Sequence, residues 1–126
     1  MTIKVERIGA GRFVCIEVSG VPSLREAGWA TERARELCGN DGVKGILLDA
    51  VEVEAGMSPG LTAELLENLM LALEHPVPVA LVESRHWPQI SREKVESRLI
   101  GLSGALTRFQ NADRAMAWLE GRSETA

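Results

Sequence analysis

Short apolar runs alternate with helix-like segments along this chain, and this alternation restricts the folds open to it. The apolar runs span 3–8, 13–18, 43–53, 77–82 and 106–109, and the helix-like segments start near 23, 59, 91 and 111. The pattern predicts the element order β-β-α-β-α-β-α-β-α. Strands that alternate with helices favour a parallel sheet with right-handed crossovers. We therefore predict an α/β fold with a mixed, mainly parallel five-stranded sheet and about four helices.

The ends of these elements carry local signals of their own. Gly9-Ala10-Gly11 predicts a tight turn, so the first two strands form an antiparallel hairpin at one edge of the sheet. Ser23 and Glu26 have the spacing of a capping box at the start of the first helix. Pro76 ends the second helix, because proline disfavours helical geometry in the residue before it. Asn111 is a favourable cap for the last helix.

Length and charge exclude several classes of function. The 126 residues suit one domain, which we place at 1–121 with a frayed polar tail at 122–126. A net charge of −4 argues against general nucleic-acid binding, which needs an excess of Lys and Arg. No apolar run approaches the ~20 residues that span a bilayer, and the N-terminus lacks the apolar core of a signal peptide. We therefore expect a cytoplasmic protein without a membrane span.

The sequence offers little for a metal or cofactor. Cys15 and Cys38 are isolated, which suits buried thiols in a reducing compartment, although the sequence leaves a disulfide between them open. Neither cysteine has a metal-ligand spacing with His75 or His86. No glycine-rich phosphate-binding loop precedes a helix. We therefore predict neither a metal nor a cofactor.

The pentapeptide Gly56-Met57-Ser58-Pro59-Gly60 matches the G-x-S-x-G motif of serine hydrolases. His86 and Glu83 would supply the remaining catalytic groups. The residue after the nucleophile must donate its backbone N–H to the oxyanion hole, and Pro59 has no N–H. Losing one such donor costs about 10²–10³ in rate. The alternative is a helix start with Ser58 as the cap and Pro59 in the first turn, and the sequence favours it.

The element order and two local matches resemble the STAS domains, typified by bacterial anti-sigma-factor antagonists. The matches are Leu48-Asp49 at a strand and Ser58-Pro59-Gly60-Leu61 at a helix start. In that family the second of two serines accepts phosphate and switches partner binding. Here Pro59 stands at the acceptor position, and Met57 stands where the family has Asp. The resemblance therefore implies a regulatory, non-enzymatic interaction domain that lacks the phosphorylation switch.

A more diffuse pattern resembles the SpoIIAA-like subgroup of small stand-alone domains. It consists of Val79-Ala80-Leu81-Val82, Trp87, Arg108-Phe109 and Ala115-Met116-Ala117-Trp118-Leu119. This subgroup is similar in fold to lipid carriers of the Sec14 type. The resemblance thus implies a second hypothesis, in which the protein carries or senses a small apolar ligand.

Polar residues cluster where the predicted parallel strands end, which is where ligands bind in open α/β sheets. The candidate ligand rim comprises Asp49, Glu52, Ser58, Arg85, His86 and Trp87, and we place Asp49 and Glu52 in one loop after a strand and Arg85, His86 and Trp87 in another. An acid, a serine and a histidine can also form a general acid–base set, so a hydrolase that uses Ser58 or His86 is the third hypothesis. A solvated rim loop without a ligand is the structural alternative.

The second predicted helix, about 59–74, has an apolar stripe wider than one sheet face requires. Exposed apolar area often marks a partner surface. We therefore predict a homodimer or partner interface, and its candidate residues are Met57, Leu66, Met70 and Leu71. A helix buried on two sides within one domain is the alternative. The sequence favours a protein-interaction module over the ligand carrier and the enzyme.

Overall fold

A computed structural model describes residues 3–20, 23–38, 43–53, 77–86, 93, 97 and 106–125. Within these residues the chain forms five strands and two helices. In chain order they are β1 (Ile3–Ile8), β2 (Phe13–Gly20), α1 (Leu24–Cys38), β3 (Gly45–Val53), β4 (Val79–Val82), β5 (Leu106–Phe109) and α2 (Ala112–Thr125). The predicted α/β class and the predicted strands are confirmed.

The five strands form one mixed sheet in the order β1-β2-β3-β4-β5. The β1–β2 pair is antiparallel, and the three other pairs are parallel. The predicted edge hairpin is therefore confirmed. Its turn requires glycine, because Gly9 has a φ of 60° and an added Cβ would lie 2.8 Å from Cδ2 of Phe13. The Arg7 guanidinium donates hydrogen bonds to the Gly11 carbonyl, which ties β1 to the turn.

The sheet separates two apolar cores. On one face, α1 packs against β1 and β2 through Ala27, Ala30 and Ala34, which are fully or nearly fully buried. Small side chains let the helix lie close to the strands, as their helical spacing predicts. On the other face, α2 packs against β3, β4 and β5 through Ala115 and Leu119.

Both described helices begin with the caps that the sequence predicts. The Ser23 Oγ accepts the Glu26 N–H at 3.2 Å, and the Glu26 carboxylate accepts the Ser23 N–H at 3.2 Å. The Asn111 Oδ1 accepts the Arg114 N–H at 2.9 Å. These hydrogen bonds satisfy backbone donors that have no partner inside the helix.

The last helix does not end where the sequence predicts. α2 passes through Gly121 and continues to Thr125, so it includes four residues, 122–125, of the segment predicted as a frayed tail. Gly121 is not among the residues with positive φ, and therefore it does not end the helix as a cap. The residues after it carry no proline, and nothing in them stops the helix.

Two further predicted helices fall mostly outside the described residues. The second, about 59–74, lies wholly outside them. The third, from Ser91 to Leu102, is described only at Glu93 and Ser97, both of which are helical. The candidate interface residues Met57, Leu66, Met70 and Leu71 also lie outside the described residues, and that interface stays a prediction.

Candidate functional site

A β-bulge near the carboxyl end of β3 determines where the predicted rim residues lie. Glu17 pairs with Asp49 and Ser19 pairs with Glu52, so two residues of β3, Ala50 and Val51, lie opposite a single residue of β2. The Asp49 Oδ1 accepts the N–H of Val51 at 3.1 Å and so provides a hydrogen-bond partner for the backbone at the bulge.

The prediction that Asp49 and Glu52 belong to a loop after the strand is therefore wrong. Both lie inside β3, which continues to Val53. The strand continues because the bulge shifts the register, after which Ser19 and Gly20 of β2 keep pairing with β3. Asp49 is half-buried on the sheet, and Glu52 is exposed near the strand end. As a result only Glu52 of these two acids sits at the rim.

The turn after β4 is bound to the end of β3. The Ser84 hydroxyl is fully buried, donates to the Val53 carbonyl at 2.6 Å and accepts the His86 N–H at 3.1 Å. The Arg85 N–H donates to the Val51 carbonyl at 3.4 Å, and the Arg85 guanidinium pairs with the Glu52 carboxylate. Ser84 is thus a structural residue that holds the turn, and the turn presents Arg85 and His86 to solvent.

A second ion pair lies next to this turn and is far more buried. The Glu83 side chain is 6% exposed, and its Oε2 lies 3.4 Å from Nη1 of Arg108 on β5. The Glu83 N–H donates to the Phe109 carbonyl at 2.9 Å, which adds a backbone link between β4 and β5. Glu83 therefore joins the two strands at their carboxyl ends. Burial of a carboxylate is costly unless a cation compensates it, and Arg108 does so here.

The rim residues do not form a catalytic set within the described part of the chain. His86 is exposed, and no hydrogen bond there joins its imidazole to Asp49, Glu52 or Ser84. General base catalysis needs a hydrogen-bonded and oriented histidine. The other predicted rim residues, Ser58 and Trp87, lie outside the described residues.

The two cysteines lie on opposite faces of the sheet, Cys15 in the core under α2 and Cys38 against the core under α1. A disulfide within one chain would have to cross the sheet, and both thiols are free. Burial, followed by the charges of Asp49, Glu17 and Glu6, raises the pKa of the Cys15 thiol from 9.0 to about 12. Burial raises the pKa of Cys38 to about 11. Neither thiol is activated for nucleophilic attack.

The described residues hold neither a metal-binding cluster nor a membrane-spanning helix. No group of three or more His, Cys, Asp or Glu side chains among them is arranged to hold a metal ion. No helix in that part of the chain is both long and apolar enough to cross a membrane.

Sequence reasoning missed two features of the structure. The Glu83–Arg108 pair joins residues 25 positions apart, and only the β4–β5 register brings them together. The exposure of Trp29 was within reach of the sequence, since a helical wheel of α1 places it among charged residues and away from the three alanines. Trp29 is 44% exposed, and it is the large hydrophobic side chain that the described residues leave most open to solvent.

Comparisons with known proteins find a solved structure that is similar to this one. No family model matches the sequence, and no curated protein matches it. Among solved structures, the anti-sigma factor antagonist SpoIIAA in its unphosphorylated form is similar at a TM-score of 0.58 and 14% sequence identity. The match covers 94% of this chain and 96% of SpoIIAA. At this identity the likeness concerns the fold, and the chain has a SpoIIAA-like, STAS-type fold.

Proposed function

We propose that this protein is a non-enzymatic regulatory domain of the STAS type, which acts by binding another protein. The fold supports the proposal, since the similar structure is that of an anti-sigma factor antagonist. The proposal includes a cytoplasmic location and two further helices over about 59–74 and 91–102. It also includes the loss of the family's phosphorylation switch, because Pro59 has no hydroxyl to accept phosphate.

The observation that carries the proposal is the pairing of charges at the carboxyl rim. Glu52 is paired with Arg85, and Glu83 is paired with Arg108, so these acids are held by cations of the same rim. Fixed, paired charges suit recognition of a partner surface, where electrostatic complementarity sets specificity and association rate. They suit acid–base catalysis poorly, because that chemistry needs a group free to gain or lose a proton near neutral pH.

The partner contact that we propose combines a polar part and an apolar part. The polar part is the rim, with Glu52, Ser58, Arg85, His86 and Trp87. The apolar part is the second predicted helix, with Met57, Leu66, Met70 and Leu71. Interfaces commonly have such an apolar centre and a polar margin.

Affinity capture with matched variants tests this proposal. The full chain, immobilised, is exposed to an extract of the source cells, and the retained proteins are compared with those held by Arg85→Glu and Arg114→Glu. Both residues are exposed arginines, but Arg114 lies on α2 and serves as the control. We expect wild type and Arg114→Glu to retain the same protein, and Arg85→Glu to retain at least tenfold less of it.

Two results would overturn the proposal. One is equal retention by all three proteins, since a rim contact would then play no part. The other is a small apolar molecule held in native mass spectra of the freshly purified protein, because that result favours the ligand carrier instead.

A further inference from the structure

The solvent face of α1 carries two residues, Gly28 and Trp29, that the packing of the described part of the chain does not explain. Trp29 is 44% exposed, although tryptophan contributes more burial energy than most side chains. Gly28 precedes it in the middle of the helix, where glycine is unfavourable relative to alanine. An added Cβ at Gly28 would meet no atom of the described residues within 4 Å, and its φ is not positive. Among those residues, neither packing nor backbone geometry requires glycine there.

Trp29 supplies a large exposed side chain, which we call the anchor, and Gly28 leaves open space beside it, which we call the gap. Tryptophan and arginine are among the residues most enriched at the energetic centres of protein interfaces. A helical glycine lets another helix approach closely at that point. Trp29 and Gly28 therefore fit a surface on which a second helix packs, with a large side chain filling the space that the glycine leaves.

The charges around them form a self-complementary pattern. The outer stripe of α1 consists of Arg25, Gly28, Trp29, Glu32 and Glu36, all exposed, and it lies opposite the alanine face that packs on the sheet. Consider a two-fold axis that passes between Gly28 and Trp29. It places each residue of one helix opposite a residue of the second copy that is the same number of positions from the axis in the other direction. Trp29 then lies across Gly28 of the second copy, and Arg25 lies across Glu32 of the second copy. Both contacts occur twice, as a two-fold interface requires.

Arg25 and Glu32 can each form an ion pair with the second copy. Within the described part of the chain no ion pair involves Arg25. Glu32 accepts a hydrogen bond from Arg35 at 2.7 Å, and a carboxylate has room for further donors. We infer that the outer stripe of α1 binds a second copy of this chain, as an antiparallel helix pair with Trp29 at its centre.

This interface is independent of the proposed partner contact. The outer stripe of α1 shares no residue with the rim or with the second predicted helix, which together make up that contact. A variant that abolishes the dimer should therefore leave the binding of another protein intact, and a rim variant should leave the dimer intact. With this axis the two helices overlap only over residues 24–33, which buries less surface than a stable dimer interface, so we expect reversible association that depends on concentration.

Sedimentation equilibrium over a wide range of protein concentration tests the inference. We expect wild type to shift from monomer to dimer as the concentration rises. Trp29→Ala should weaken the dimer at least tenfold because it removes the anchor, and Arg114→Glu on α2 should leave it unchanged. Gly28→Leu should abolish the dimer while raising the melting temperature, because leucine favours the helix but fills the gap. A folded and stabilised monomer separates lost association from lost folding.

A charge exchange tests the pairing itself. Arg25→Glu and Glu32→Arg each place like charges opposite one another in a homodimer, so each variant alone should be mainly monomeric. When the two variants are mixed, they should form a heterodimer, because each contact between positions 25 and 32 then joins a glutamate of one variant to an arginine of the other.

Three outcomes would overturn the inference. They are a wild-type protein that stays monomeric at every concentration, a dimer that Gly28→Leu and Trp29→Ala leave intact, and a dimer that Leu71→Asp alone abolishes. The last outcome would place the interface on the second predicted helix.

Discussion

Replacing Arg108 with methionine should destabilise the protein far more than the same replacement at Arg85. Both arginines pair with a glutamate near the carboxyl rim, but their surroundings differ. The side chains of Arg85 and Glu52 are 59% and 57% exposed, whereas those of Arg108 and Glu83 are 28% and 6% exposed. Exposed pairs contribute about 0–1 kcal/mol because water screens them. A buried carboxylate that loses its cation keeps its desolvation cost without compensation.

The distance between the charges of Glu83 and Arg108 sets the size of the stability loss expected for Arg108→Met. Unit charges 3.4 Å apart attract by about 5 kcal/mol at an effective dielectric constant near 20. The partial exposure of Arg108 reduces this attraction, so we expect Arg108→Met to lower the free energy of unfolding by about 2–4 kcal/mol at neutral pH. Arg85→Met should lower it by less than about 1 kcal/mol. Methionine keeps much of the aliphatic stem in both cases, which isolates the charge.

Urea unfolding at constant pH and salt measures both free energies by linear extrapolation. A double variant, Glu83→Leu with Arg108→Met, supplies the internal control, because it removes the buried charge together with its partner. We expect it to recover most of the stability lost in Arg108→Met. The reasoning is refuted if the two single variants lose equal stability, or if the double variant is less stable than Arg108→Met.

Four further predictions concern other parts of the structure. Ser84→Ala should cost about 1–3 kcal/mol in urea unfolding, because it leaves the Val53 carbonyl at the end of β3 and the His86 N–H in the turn without the hydroxyl that they contact. Gly28→Ala should add about 1 kcal/mol to the free energy of unfolding, and a loss of stability would show that the glycine is needed within the chain. Cys15 should react with a thiol reagent at pH 8 more slowly than Cys38, as peptide mapping by mass spectrometry can show. Since both folded pKa values lie above 9.0, stability should be unaffected by these thiols below about pH 9 and fall as the pH rises from there toward 12.

The parts of the fold that could be predicted depend on neighbours in the chain. The Ser23–Glu26 capping box and the turn at Gly9 involve residues three to four positions apart, and the structure forms both as expected. The end of β3 could not be predicted in the same way. Asp49 looks like the end of a strand in the sequence, but the bulge opposite β2 lets the pairing continue to Val53.

In the candidate site too, features that depend on near neighbours could be predicted, and features that depend on distant residues could not. The sequence identified Arg85 and His86 as rim residues, and it named Glu83 as an acid near them. It did not indicate that Glu83 and Ser84 are buried, because their burial depends on contacts with Arg108 and Val53, which are distant in the chain. Polarity predicts exposure only when no distant partner compensates burial.

The sequence by itself determined the class of fold, the order of the described elements, the edge hairpin and the helix starts. Each of these follows from hydrophobic periodicity or from hydrogen bonds between near neighbours. Only the tertiary structure decided that Cys15 and Cys38 lie on opposite faces and that Glu83 is paired inside the protein. These outcomes depend on strand register and on which face of each element is covered, and distant parts of the chain set both.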